Sequence, residues 1–246
     1  MVNISSAIFD CSAPDLASCP DESLPEFAFI GRSNVGKSSL LNMLAGKDAL
    51  ARVSPVPGFT KLINIFTINK TWRMVDLPGY GFAEVARQDR ALFNQAVNDY
   101  LTHRPNLCCV FALLDSGLAP QKIDLSFVEW LARHAVPFVL VFTKTDRGTP
   151  EAVQANIAAF TARIAGWFEK LPEIFRCSST TGQGRSELLG VIAATLTASP
   201  AESEPAPPIA PLPPEVEPAF RMQVRAGSSR EKSSHEKKRL KSARPW

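Results

Sequence analysis

Cysteine is scarce in this chain, and long apolar runs are missing from it. The five cysteines among 246 residues (Cys11, Cys19, Cys108, Cys109 and Cys177) are odd in number and include no C-x-x-C pair. That pattern argues against a disulfide framework or a zinc site and favours a reducing, cytoplasmic compartment. Three of them fall on or beside expected strands, where cysteine serves as a small buried hydrophobe. The longest apolar runs, 107–114 and 136–142, have the length of strands and are too short to span a bilayer. The opening MVNISSAIFDCSAPD lacks a basic segment followed by an apolar one, so no secretory signal is expected. No internal repeat is visible.

What is present reads as a globular α/β chain with a different carboxyl-terminal end. Hydrophobic residues make up 45% and charged residues 21% of the sequence. The net charge of +3 is unevenly spread: residues 221–246 hold nine Lys/Arg against two Asp/Glu, a local +7, and the rest carries −4. Eight prolines fall within 200–218, which predicts an extended linker rather than a ladder or a core. The polar, basic stretch after it is expected to be disordered.

The folded part shows strand and helix patterns in alternation. An apolar run at 27–30 stops at Gly31, and a helical pattern begins near Lys37. Strands are expected at 62–69 and 72–77, joined as a hairpin at Asn69 and Lys70. Helix 85–103, strand 107–114, helix 121–134, strand 137–143, helix 150–170, strand 174–178 and helix 184–197 follow. The order predicts a doubly wound, mostly parallel six-stranded sheet with helices on both faces. Residues 3–10 are a candidate for one more strand. The expected division is a lead-in at 1–23, an α/β domain at 24–197, a proline-rich linker at 198–220 and a basic tail at 221–246.

The chemistry sits at expected strand ends. Gly31-Arg32-Ser33-Asn34-Val35-Gly36-Lys37-Ser38 matches G-x-x-x-x-G-K-[ST] between a strand and a helix, with Ser39 next in line. Its glycines let backbone N–H groups wrap phosphates, Lys37 would neutralise β and γ oxygens, and Ser38 would bind Mg2+. Asp76-Leu77-Pro78-Gly79 ends a strand 38 positions after Ser38. There an aspartate holds Mg2+ through water, and the glycine N–H senses the γ-phosphate. Thr60 lies in Gly58-Phe59-Thr60-Lys61-Leu62, where a loop threonine can complete the Mg2+ shell only when the γ-phosphate is present.

Thr143-Lys144-Thr145-Asp146 follows an apolar strand. Its carboxylate can accept both N1–H and N2–H2 of guanine, and adenine would leave that acceptor unpaired. Lys144 would lie along the base and ribose. Cys177-Ser178-Ser179 ends the last expected strand, where a backbone N–H can meet guanine O6. These elements, in this order, predict a GTP/GDP site rather than an ATP site, with Lys37, Thr60, Asp76 and Gly79 as its catalytic set.

With these residues assembled, the sequence resembles the YihA/EngB (YsxC) family of ribosome-biogenesis GTPases over about residues 3–197. GRSNVGKSSLLNML at 31–44, PGFTKLINIF at 57–66 and DLPGYGFAEV at 76–85 carry the resemblance. It implies a Ras-like P-loop G domain and a role in assembly of the large ribosomal subunit or its precursor; a cytoplasmic monomer that binds neither membrane nor DNA is expected. Tyr80 stands where Ras-type proteins carry a water-orienting glutamine, which implies slow intrinsic hydrolysis. Asn34 stands where potassium-using relatives place an asparagine that coordinates K+; it also fits a loop position with unusual backbone geometry. Phe59 and Thr145 depart from the usual Arg/Lys and Ala. The tail admits two readings, an rRNA-binding leash or a solubilising extension. Two other functions remain open: an RNA-binding assembly factor with structural nucleotide, and a GTPase regulating cell division and septation.

Overall fold

The computed structural model describes residues 3–47, 50–51, 62–80 and 87–198, with the backbone only for 87–94. Gly58, Phe59, Thr60, Lys61 and the segments after 198 lie outside the described residues. Twelve elements follow in chain order: β1 Ala7–Ala13, β2 Glu26–Gly31, α1 Lys37–Ala45, β3 Ile63–Ile68, β4 Trp72–Asp76, α2 Arg87–His103, β5 Leu107–Asp115, α3 Lys122–Arg133, β6 Phe138–Thr143, α4 Pro150–Ile164, β7 Ile174–Arg176 and α5 Arg185–Thr197.

The sheet has seven strands in the order β1-β3-β4-β2-β5-β6-β7. Strand β3 runs antiparallel to both β1 and β4; every other pairing is parallel. The seventh strand is β1, shifted from the expected 3–10. Asn69 explains its docking: Oδ1 of Asn69 accepts from the Ser5 and Ser6 amides at 2.8 and 3.0 Å, pinning the amino-terminal segment to the hairpin. The hairpin turns where it is predicted to. Asn69 and Lys70 have φ of 50° and 62°, and the Thr71 amide bonds Ile68 O at 3.0 Å. Two successive residues of positive φ match the right-handed twist of the strands they join.

Burial follows position in the sheet. Central β2 is buried along its whole length, as a parallel strand covered on both faces should be. Side chains of α2, α3 and α4 (Tyr100, Phe127, Phe160) pack with Ala28 and Ile30 in one core. Those of α1 and α5 (Leu40, Leu44, Leu188, Ile192) pack with Phe27 and Phe29 in the other. The helices therefore cover both faces.

Two elements end earlier than their patterns imply. Helix α4 starts cleanly, with Thr149 accepting from the Ala152 amide at 3.3 Å and a proline in the first turn. It stops at Ile164, short of 170, and passes into a 3-10 turn, Ala165–Trp167. Gly166 is a weak helix former, and Phe168 folds back on Phe138 with ring centroids 6.1 Å apart. Strand β7 ends at Arg176 rather than 178, because Ser178 turns away: its amide bonds Gln183 O, and its carbonyl accepts from the Gly182 amide.

Candidate nucleotide-binding site

Strands β4 and β5 flank β2 on opposite sides, so successive connections diverge at its carboxyl end and leave a crevice there. Residues 32–36 fill that crevice between β2 and α1. Gly36 at the start of α1 has φ 103°, a conformation that a Cβ would strain. No side chain caps the helix at this point, so its first amides face the crevice unprotected, as an anion site requires. The Ser33 hydroxyl is buried with no hydrogen-bond partner among the described residues. An orphan donor beside an uncapped helix start fits a bound phosphate.

Lys37 and Asp76 face each other here as a buried ion pair. Ser38 and Ser39, in the first turn of α1, are partly exposed, whereas Val35 and Leu77 belong to the two cores. One carboxylate and one hydroxyl make a hard-oxygen donor set, suited to Mg2+ completed by phosphate oxygens and water. Beyond Asp76, the Leu77 amide bonds Phe29 O at 3.0 Å and the Tyr80 amide bonds Gly31 O at 3.2 Å, so residues 77–80 continue alongside β2. Pro78 and Gly79 are buried. A Cβ on Gly79 would stand 2.8 Å from Gly31 O, closer than packing allows. Leu62, just before β3, is 40% exposed.

Tyr80 turns away from this crevice. Its ring packs on Phe127 and its hydroxyl donates to Asp124 Oδ1 at 3.0 Å. Burial pushes the hydroxyl well above its ordinary pKa, and the Asp124 charge adds to the effect. In this arrangement Tyr80 has no part in orienting water at a phosphate.

The second half of the site is held by cross-braces. Thr143 Oγ1 donates to Val35 O at 2.6 Å and contacts Leu114 O at 3.1 Å, which ties the end of β6 to the glycine loop. Lys144, at φ 60°, donates to Asn34 O at 2.6 Å and Asp115 Oδ2 at 2.7 Å. Asn34 has φ 61° and is exposed, so the left-handed loop geometry anticipated for it is present. Thr145 is fixed through its amide to Cys177 O and its hydroxyl to Gln183 Oε1 at 2.8 Å. Asp146 is exposed, and a hydrogen bond with Ser178 holds its carboxyl below the ordinary range. The amides of Cys177 and Ser178 are taken by Phe142 O and Gln183 O. That leaves the Ser179 amide as the member of the triplet without a protein acceptor among the described residues. Burial pushes the Cys177 thiol up to about 12, so this cysteine is packing rather than chemistry.

A family model described as a 50S ribosome-binding GTPase matches residues 26–144. The probable GTP-binding protein EngB of Cytophaga hutchinsonii is 47% identical over 186 residues, covering 76% of this chain and 94% of that protein. That of Christiangramia forsetii is 42% identical over 191 residues, covering 78% of this chain and 96% of the relative. The chain belongs to the EngB family of GTP-binding proteins. It is a GTPase. A crystal structure of a probable GTP-binding protein engB shares the fold, with a TM-score of 0.52, 21% identity, and coverage of 70% of this chain and 98% of that one.

Several residues of this EngB-family site escaped the sequence reading. Asp115, the last residue of β5, and Gln183, in the loop before α5, carry no motif and acquire partners only through the fold. Asp124, one of several polar residues on the α3 pattern, carried no motif. Its burial raises the carboxyl pKa, with the Arg32 charge opposing.

Proposed function

We propose that this GTPase is a cytoplasmic, monomeric switch that docks on the large ribosomal subunit or its precursor during assembly, binding neither membrane nor DNA. The observation that carries the reading is the match of residues 26–144 to the 50S ribosome-binding GTPase model. In the proposed cycle, the γ-phosphate of GTP engages Thr60 and the Gly79 amide and so creates the docking surface; hydrolysis to GDP and phosphate withdraws both contacts.

The residues divide the work. Backbone amides of 33–39 cradle the phosphates, and Lys37 neutralises the β and γ oxygens. Ser38 and Thr60 would hold Mg2+ directly and Asp76 through water; when bound, the ion neutralises charge developing on the transferred phosphoryl group. Gly79 offers its amide to the γ-phosphate. Gly58, Phe59, Lys61 and Leu62 flank the switch threonine. Asp146 accepts from guanine N1–H and N2–H2, the Ser179 amide meets O6, and Lys144 lies along the base. K+ held by Asn34 would supply positive charge at the leaving phosphate. With the Tyr80 hydroxyl on Asp124, intrinsic turnover is slow.

The test is depletion in the source organism. Accumulation of an immature large-subunit particle in sucrose gradients is expected, with the small subunit normal. An unchanged subunit profile, or a septation defect that precedes any subunit defect, would refute the assignment.

A second reading, an RNA-binding assembly factor, draws on the separation of charge between a +7 tail and a −4 remainder. Such a tail binds nucleic-acid phosphates with steep salt dependence. It predicts ribosome association that is indifferent to nucleotide.

A further inference from the structure

Three segments meet at a buried carboxylate that no nucleotide-binding motif contains. Asp124, in the first turn of α3, is 4% exposed. Its Oδ1 accepts from Arg32 Nε at 2.9 Å and from the Tyr80 hydroxyl at 3.0 Å, and its Oδ2 accepts from Arg32 Nε at 3.0 Å. Arg32 is the first variable residue of the glycine loop, and Tyr80 directly follows Gly79. Both side chains leave the phosphate crevice and converge on one helix.

The result is that Gly79 is gripped from two directions. On one side its backbone lies so close to Gly31 O that no Cβ fits, and the next amide bonds that same carbonyl. On the other, the Tyr80 ring is clamped between Phe127, at a centroid distance of 4.6 Å, and the Asp124 carboxylate. A well-packed apolar residue could support the fold at this point as well as a buried charge. What a carboxylate adds is direction, because it fixes two donors from two different loops at one oxygen.

We infer that Asp124 is a positioning residue for GTP hydrolysis: by joining Arg32 to Tyr80 it fixes the Gly79 amide over the glycine loop. The inference rests on the reading of Gly79 as the γ-phosphate sensor. A pre-placed donor loses no freedom when the γ-phosphate arrives, whereas a donor on a loosened loop must be ordered by the ligand. GDP makes no use of that donor. Loss of the clasp therefore selectively weakens recognition of the third phosphate.

The experiment compares GDP and a non-hydrolysable GTP analogue for the full chain and for Asp124→Ala, Asp124→Asn, Tyr80→Phe and Gly79→Ala. Single-turnover hydrolysis and thermal melting are measured alongside. For Asp124→Ala we expect GDP affinity within about threefold of the parent, with analogue affinity and hydrolysis rate each about tenfold lower, the scale of a lost charged hydrogen bond. Asp124→Asn keeps an oxygen for Tyr80 but can turn an amide donor toward Arg32, and should fall between. A lower melting temperature with an unchanged analogue-to-GDP ratio and rate would overturn the inference and leave Asp124 a structural residue. Should Asp124→Ala fail to fold, Tyr80→Phe decides, since it keeps the ring on Phe127 and removes only the hydroxyl: a lowered ratio supports the clasp, an unchanged one refutes it. Gly79→Ala separates the premises. If it lowers the ratio while the Asp124 and Tyr80 variants do not, the clasp is wrong; if it leaves the ratio unchanged, the sensor reading itself fails.

Discussion

Lys37 and Asp76 oppose each other at the floor of the phosphate crevice, both nearly excluded from water. Phosphate oxygens and this carboxylate compete for one ammonium. Replacing Lys37 with alanine removes the cation and also leaves a buried carboxylate unpaired beside the incoming phosphates. Lys37→Ala is therefore expected to weaken GTP binding by about 100-fold or more, measured by fluorescent-nucleotide titration. Unaltered affinity would contradict the site. At the base end, Asp146→Asn exchanges an acceptor for a group that also donates. GDP affinity should fall about 100-fold while xanthosine diphosphate gains, because a built acceptor rejects a mismatched edge strongly. Competition with guanosine, inosine and xanthosine diphosphates checks it, and unchanged selectivity would remove Asp146 from base reading.

At the scale of elements, Glu26 holds the pole of the sheet opposite the site. This fully buried carboxylate at the start of β2 accepts from Arg104 at 2.7 and 2.9 Å, from Tyr100 at 2.6 Å and from Arg73 at 3.3 Å. It thus joins β2, β4 and the end of α2. Burial alone raises its pKa, but the hydrogen bonds from Arg104 and Tyr100 and the Arg104 charge outweigh burial, and the net shift is downward. A carboxyl whose folded pKa is depressed stabilises the fold above its unfolded value and loses that contribution as pH falls through the folded one. Glu26→Ala should cost about 3–5 kcal/mol in denaturant unfolding, since it removes the one fully buried acceptor that Arg104, Tyr100 and Arg73 share. Glu26→Gln should show a shallower loss of stability than the parent on acidification below the ordinary glutamate range. Equal acid sensitivity would show that other carboxyls govern that limb.

Much at this scale was legible because local chemistry and tertiary demand agree. The glycine loop after β2 needs φ 103° at Gly36 and the hairpin turn needs φ 50° at Asn69, which glycine and asparagine supply, and the T-K-x-D run begins on the last residue of β6. The seventh strand was harder to fix, since its register depends on Asn69 capturing Ser5 and Ser6 across 64 and 63 residues of chain. The end of α4 depends on where Phe168 finds a partner, which periodicity does not encode. Asp124 was invisible for the same reason. A carboxylate in a helix's first turn reads as a dipole partner, and only the fold brings Arg32 and Tyr80 to it.

For the whole molecule, the alignment to EngB relatives spans 78% or less of the chain while covering nearly all of theirs, so the excess here lies beyond the shared domain. Removal of residues 199–246 is expected to leave nucleotide affinity unchanged within about twofold, because every element of the described fold ends by Thr197. If the tail contacts rRNA, the truncation should flatten the salt dependence of ribosome binding without abolishing it. Loss of nucleotide affinity on truncation would instead place the tail in the site.

Co-sedimentation of the purified full chain with separated ribosomal subunits, in K+ and Mg2+, tests the switch most directly. The account predicts association with the large subunit in the presence of a non-hydrolysable GTP analogue and little with GDP, retained after truncation at 198. Equal association in both nucleotide states, lost on truncation or at raised salt, would contradict it and make the chain an RNA-binding factor whose nucleotide is structural.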